Sequence, residues 1–475
     1  MDLFRTKNIE QICSSSTNSG MAKNLNAMDL IFLGIGGILG TGIFVLTGIA
    51  AAKYAGPAIT ISFIISGLVC SFVGLAYAEF ASLLPASGSA YAYAYSSLGE
   101  FIAFFTGWNL ILAYTVTASA VAVGWSGYIT GLLRASGLDI PVLWTATPTE
   151  GGFINLPAML IVLLLAILLI RGTKESVRLN FILVFIKLIT VGIFIVLAFP
   201  HVNIENWQPF SPFGNAGIIS GAAIVFFAFM GFDAIATSAE ECKNPIRDLP
   251  IGIIASLSIC TILYILISAL LTGIVPYSLL DNAEPVAYGL RFIGYSTGSA
   301  IVAVGALAGI TTVLLVYLYG QSRVFFAMSR DGLFPASICK IHTHYHTPHR
   351  VTILGSVCIA LISGFVPLSY IVELANTGTL AVFLTTLIGV MVLRRTQPDL
   401  PRKFRCPLLW LIGPVGIFSC GYLIYSLSDV THFRFICWGI IGCTIYFLYS
   451  YRHSILQPDG KNNISSLCEK DDLIS

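Results

Sequence analysis

Charge is what this chain has least of. Asp, Glu, Lys and Arg make up 10% of its 475 residues. An ordinary soluble domain carries about 25%, so a typical cytosolic enzyme is excluded. A formal net charge of +2 spread along the chain leaves no basic face for nucleic acid. Polar residues are too scarce for a disordered chain. The 11 cysteines contain no CxxC pair, and Cys70, Cys260, Cys358, Cys420, Cys437 and Cys443 lie in apolar runs. They read as small buried hydrophobes and not as a disulfide framework. No P-loop, nucleophile elbow or metal triad occurs in a fitting context, so no catalytic residue, metal or cofactor is expected. A cleaved signal peptide is not expected either. Polar residues run to Lys23, and the first apolar stretch is too long for an h-region.

What the chain does have is hydrophobic length. Apolar residues make up 56% of it, and the mean hydropathy is +0.86. A transmembrane helix needs ~20 mainly apolar residues. Twelve such stretches stand near 28–52, 57–84, 101–130, 155–170, 176–199, 215–240, 250–275, 298–329, 350–366, 370–393, 408–427 and 432–450. They are numbered here as segments 1 to 12. A β-barrel would show short alternating runs, whereas Ile161 to Ile170 is apolar on every side. The fold class expected is therefore an all-α polytopic membrane protein with the lipid bilayer as its solvent. Of the 25 Lys and Arg, 20 fall in the loops and tails on the side of the N-terminus. Lys53, Arg134, Arg291 and Arg434 fall on the other side, and Lys187 lies within segment 5. The positive-inside rule puts both termini in the cytoplasm, with tails at 1–27 and 451–475.

Two segments carry interruptions. Segment 1 holds five glycines between Gly34 and Gly42, each unfavourable by about 1 kcal/mol relative to alanine in a helix interior. Small residues can serve close helix packing. They can also mark an unwound stretch whose free N–H groups bind an anion, which is tolerated at membrane depth only beside protein or a wet cavity. In segment 6, Gly231 and Asp233 interrupt the aromatic run Phe227-Ala228-Phe229-Met230. The two interruptions are five segments apart. Five is odd, so 28–199 and 215–394 would enter the bilayer from opposite sides as an inverted repeat, with 408–450 outside it. Matching broken helices in such repeats point to a transporter's substrate site.

The motifs resemble those of the amino acid–polyamine–organocation (APC) transporters. The resemblance rests on Gly34 to Phe44, on Tyr77 to Tyr93, on Gly231-Phe232-Asp233 with Glu240 to Pro250, and on Ser322 to Pro335 with Thr347, Pro348 and Arg350. The branch it is most similar to is that of bacterial homologues of the cationic amino acid transporters. The resemblance implies a LeuT-like five-plus-five fold with segments 1 and 6 discontinuous, in a bacterial cytoplasmic membrane. It implies an amino acid held between the breaks. Ile38, Gly40, Thr41 and Gly42 would line the carboxylate subsite, and Phe227, Ala228 and Met230 would offer carbonyls to the amine. Phe227 matches the family's gating aromatic. Half-helix ends suit both charges of a zwitterion.

Lys187 has two readings. It can snorkel to the headgroups, or, as the resemblance implies, face segment 1 where related folds hold sodium. Burial penalises the charged form of an amine, so a lysine placed there could couple transport to a proton. Asp233 can touch substrate or cap the outgoing half-helix. Glu79 is expected to pair with a Lys or Arg, and Glu240 and Glu241 to supply loop electrostatics near Lys243 and Arg247. His342, His344, His346 and His349 lie in one loop, where solvent exposure is favoured over metal binding. Cationic members commonly carry Leu-Glu-Tyr on segment 3, where this chain has Leu112-Ala113-Tyr114. Without that carboxylate a cationic side chain would be left unpaired. Ala113 and the bulky Ile310 thus favour neutral amino acids. The function expected is proton-coupled symport of a neutral amino acid. Uptake or exchange of cationic amino acids or polyamines is the alternative, and a non-transporting sensor a further one. Oligomeric state is not legible.

Overall fold

The computed structural model describes residues 3–9, 25–84, 86, 88–171, 173–335, 337–338 and 347–457. It is all-helical. Among the described residues, eight helical stretches are long and apolar enough to cross a bilayer, and Leu156–Arg171, His349–Phe365 and Leu409–Tyr425 are shorter apolar helices. The chain is an integral membrane protein with multiple apolar spans. Its helices are α1 (Ala27–Ile38), α2 (Ile59–Leu83), α3 (Ala90–Ser97), α4 (Glu100–Ala135), α5 (Leu156–Arg171), α6 (Thr173–Ala198), α7 (Gly214–Val225) and α8 (Phe232–Thr237). They continue with α9 (Pro245–Ile274), α10 (Pro285–Phe292), α11 (Ser296–Arg330), α12 (His349–Phe365), α13 (Leu368–Thr396), α14 (Leu409–Tyr425) and α15 (Asp429–Ile445). Each apolar stretch read from the sequence has its helix, and most limits agree within a turn. Segments 3 and 7 run longer than read, to Ala135 and back to Pro245. Polar terminal turns can still bury one face against the bundle, which an apolar count does not register. Of the histidine loop, 342, 344 and 346 lie outside the described residues.

Burial sorts the helices. The most apolar windows of α4 and α11 are 83% and 78% buried, against 17% for the window that begins with α15. Phe185, Val196, Ile262, Phe418 and Ile440 are exposed apolar side chains on outer helices, as lipid contact requires. Inside, α9 lies along α2, α11 along α4, and α12 along α5. The helix α4 also packs on α13, α6 on α11, α1 on α9, and α7 on α2.

One face carries both described ends of the chain. Glu100, fully buried at the start of α4, accepts from Arg5 at 3.0 Å, Tyr95 at 3.1 Å, Tyr446 at 3.1 Å and Ser454 at 2.5 Å. The Glu100 and Phe101 N–H groups donate to the carbonyls of Arg5 and Leu3. These are first-turn donors that the helix cannot satisfy itself. Lys7 Nζ stands 2.8 Å from Asp331 Oδ1, and Tyr91 Oη donates to the other oxygen at 2.8 Å. On the same face Glu79 pairs with Arg394, at 2.9 and 2.6 Å, and with Arg402 at 3.3 Å, as its expected structural role requires. Glu241 pairs with Arg323 at 2.9 Å, and Glu240 lies 3.8 Å from Arg330. The two glutamates thus reach cations on α11, where the sequence directed attention to nearby Lys243 and Arg247. Leu25 is tied to the same loop by backbone bonds with Glu241 and Lys243, which anchors the start of α1 there.

Burial pushes the Asp331 carboxyl up, but Lys7 and Arg330 outweigh it and hold the group below the ordinary carboxylate range. A depressed carboxylate contributes stability that is present above its unfolded value near ~3.9 and lost as pH falls through the folded one. The clasp should therefore hold at pH 4 and release only below it, read as protease sensitivity of the N-terminal residues against pH. Lys7→Met should destabilise the clasp by about 3 kcal/mol, measured as a lower thermal midpoint in detergent together with early N-terminal cleavage.

Candidate functional site

The first break follows directly from the glycines. The helix α1 starts at Asn26, whose side chain accepts from Met28 and Asp29 N–H while Asp29 accepts from Asn26 N–H. It stops at Leu39, which is extended with φ −78° and ψ 95°. The chain resumes as a π-helical turn over Gly42–Leu46, where Gly40 C=O accepts from both Ile43 and Phe44. The N–H groups of Gly40, Thr41 and Gly42 find no acceptor among the described residues. Thr41 Oγ1 is buried and has no partner either. Three consecutive free N–H groups and a hydroxyl make a pocket of donors.

The second break faces it. After α7 comes a 3-10 turn over Phe226–Phe229, then an extended Met230 and Gly231 at φ +117°. That φ favours glycine, and a Cβ on Gly231 would stand 2.6 Å from Gly37 C. The breaks meet again where a Cβ on Gly42 would lie 2.3 Å from Ala228 Cα. A side chain at Gly42 thus strikes segment 6 itself. Met230 C=O finds no donor among the described residues, while Phe227 C=O accepts from Met230 N–H. Tyr264 of α9 closes the gap. Its hydroxyl lies 2.7 Å from both Ile38 O and Ala228 O. One hydroxyl proton serves only one of two carbonyls at a time, so these acceptors are under-supplied.

Lys187 sits behind the first break. Its ammonium reaches Leu39 O at 2.7 Å, Gly36 O at 3.0 Å, Ile35 O at 3.1 Å and Thr312 Oγ1 at 2.9 Å. The side chain is fully buried and does not snorkel. The carboxylate of Asp233 is engaged locally: Oδ1 accepts from Gly231 N–H at 3.2 Å and Oδ2 from Tyr114 Oη at 2.7 Å. It caps α8 and ties it to α4. Met230 Sδ accepts from Thr117 at 3.6 Å and Thr379 at 3.5 Å. Phe229 packs between Phe63 and Tyr264, and Phe227 is 4% exposed.

The structure brings Ile38, Gly40, Thr41, Gly42, Phe227, Ala228 and Met230 together at the breaks. The other two expected residues lie on α4 and α11. Ala113 Cβ lies 3.6 Å from the position of a Cβ on Gly378 of α13. Ile310 is buried one turn from Val313, and Val313 is the residue that meets Gly40, 2.4 Å from its Cβ position. Tyr264, Val313 and Thr312 escaped the sequence reading, because a hydroxyl or valine in an apolar segment carries no signal of the direction it faces. The face opposite the termini is closed. A Cβ on Gly48 would meet Pro285 of α10 at 2.4 Å, Lys53 pairs with Asp281 at 3.0 Å, and Tyr128 donates to Phe44 O at 2.7 Å.

Residues 25–448 match the family model described as amino acid permease. The chain is 48% identical to the branched-chain amino acid permease BcaP of Bacillus subtilis, over 96% of this chain and 99% of the relative. It is 45% identical to the methylthioribose transporter of the same organism, again over 96% and 99%. It is 34% identical to cationic amino acid transporter 1 of Arabidopsis thaliana, over 97% of this chain and 78% of the relative.

Gly231→Ala should cost at least about 1–2 kcal/mol for its left-handed backbone, plus the clash with Gly37. Thermal unfolding in detergent should register that loss, while Ala234→Gly, a few residues on in α8, should be affected only at the level of helix propensity, about 1 kcal/mol.

Proposed function

The chain belongs to the amino acid permease family, and on that premise we propose that it is a proton-coupled importer of neutral amino acids working by alternating access. The face carrying the termini is taken as cytoplasmic, in a bacterial cell membrane, on the strength of the Lys and Arg asymmetry and of the bacterial relatives. The substrate carboxylate binds the free N–H groups of Gly40, Thr41 and Gly42 and the Thr41 hydroxyl. The amine takes the carbonyls of Met230 and Ala228 on the facing break, with Ile38 O beside them through Tyr264. Val313 and the Met230 thioether border the side chain.

The observation that carries the coupling is the surroundings of Lys187. Its three ammonium hydrogens meet three carbonyls and a hydroxyl oxygen. A neutral amine has two hydrogens and a lone pair, so even if Thr312 Oγ1 turns to donate to the lone pair, deprotonation leaves one of the three carbonyls without its donor. Protonated, Lys187 holds the end of α1 against α6 and α11. Deprotonated, it loosens that end, and proton release to the cytoplasm favours opening there. Substrate and proton then strengthen each other's binding.

Three features support neutral selectivity. Ala113 replaces the glutamate of cationic members, Asp233 is occupied by Tyr114 and Gly231, and apolar side chains border the breaks. The methylthioribose relative favours a second reading, a neutral thioether sugar, at nearly the same identity. The five-plus-five inverted repeat is part of the proposal. If segments 1 to 5 correspond to 6 to 10, the contacts 2–7, 3–8 and 4–9 map onto themselves. Contact 1–7 then maps onto 6–2, and 3–10 onto 8–5. All of these contacts occur, which is what a two-fold arrangement of the first ten segments requires.

Two measurements test the proposal. In proteoliposomes with an inward proton gradient, Lys187→Ala should lose concentrative uptake while retaining substrate binding. Lys187→Arg should fare no better, since arginine keeps its proton. Wild-type accumulation by Lys187→Ala would remove the lysine from coupling. In competition for binding, leucine, valine and alanine should outcompete lysine and arginine by about tenfold or more, the cost of an unpaired buried charge. Displacement by methylthioribose alone would establish the second reading, and preference for arginine would overturn neutral selectivity.

A further inference from the structure

Below the breaks, on the terminal face, a cleft of about 550 Å³ opens between α1, α5, α6, α8 and α11. Its lining is mostly apolar: Leu33 and Leu315 contribute to it, and Phe32 and Phe181 pack on each other with ring centroids 4.5 Å apart. Two polar side chains line it without partners. Asn180 Oδ1 and Ser238 Oγ are buried and make no hydrogen bond, at 3% and 1% residue exposure. Buried polar atoms are rarely left unpaired, and two such atoms lining one cleft point to something that pairs with them there.

The cleft borders the end of α1 that leads into the break. Val316 lines it and also reaches the position of a Cβ on Gly37 at 3.2 Å. Asn180 Oδ1 lies 2.7 Å from the position of a Cβ on Gly36, whose carbonyl holds Lys187. A molecule leaving the breaks towards the termini passes this cleft.

We propose that the cleft is a second, weaker site for the transported amino acid, a release station in which Asn180 and Ser238 take its polar end and the leucine and phenylalanine walls its side chain. This rests on the transport reading above. An amide and a hydroxyl supply both a donor and an acceptor, as a zwitterion needs. Asp29 is the one charged residue of the lining, and its Oδ2 already accepts from Asn26 N–H, so binding is weak and release fast. An acyl chain would fill the walls and leave both polar groups unpaired, which makes a lipid the poorer occupant.

The test is equilibrium binding of tritiated leucine to the full-length protein in detergent. Wild type should bind in two phases. Asn180→Ala with Ser238→Ala should weaken the second phase by about tenfold, the loss of one to two hydrogen bonds, and leave the tight phase within twofold. Retention of the tight phase certifies that the variant folds. Leu315→Trp, which fills the cleft, should abolish the weak phase alone, and Gly42→Ala the tight phase alone. In inside-out proteoliposomes the double variant should raise KM on the terminal face and leave KM on the other face unchanged. A single phase in wild type that the double variant leaves unchanged overturns the station and leaves the transport reading intact. A phospholipid retained in the cleft, seen by native mass spectrometry without a second leucine, overturns it too. Absence of both phases overturns the transport reading and the station together.

Discussion

One buried ammonium group holds the broken end of segment 1. A helix that stops in mid-membrane leaves its last carbonyls without donors, and no water is there to take them. The carbonyls of Ile35, Gly36 and Leu39 all turn to Lys187 Nζ. The ammonium also stands at the negative end of the α1 dipole, where a cation is favoured. The break and the lysine therefore explain each other. The break gives a buried charge the oxygen neighbours it needs, and the charge lets the helix end where it does. The next three N–H groups, those of Gly40, Thr41 and Gly42, are then left free.

The second break is held by different means. Gly231 turns the chain through a positive φ, Asp233 caps the new helix, and Tyr114 fixes Asp233 from α4. The two breaks touch at Gly37 against Gly231 and at Gly42 against Ala228, so neither can shift without the other. Tyr264 stands between two carbonyls, one from each break, with a single proton to give. A ligand ammonium beside them would relieve that shortage. This is a reason for the breaks to be more stable occupied than empty, independent of what side chain the ligand carries.

Around these breaks the N-terminal chain is tied to two different parts of the structure. The start of α1 is sewn to the loop before α9 by backbone bonds at Leu25. The clasp of Arg5 and Lys7 on Glu100 and Asp331 instead binds the N-terminal residues to α4 and α11. Residues close together in sequence are thus committed to different helices.

Much of this was legible from composition and spacing. Hydrophobic length is a local property, and it located the spans. Glycine excess is local too, and it marked the first break, while Gly231 with Asp233 in an aromatic run marked the second. The resemblance pointed to Lys187, because a lone charge in an apolar segment stands out against its neighbours. Direction is not a local property. A valine, threonine or tyrosine in a membrane helix reads alike whether it faces lipid, a neighbour or a site. Only the tertiary structure turned Val313 to Gly40, Thr312 to Lys187 and Tyr264 to the two carbonyls, and turned Ala113 towards Gly378. It alone paired Glu241 with Arg323 over Lys243 and Arg247, since partners in a packed bundle are chosen by distance in space. The sequence determined where the backbone could leave its helix. The packing of distant helices decided which side chains meet the groups set free there.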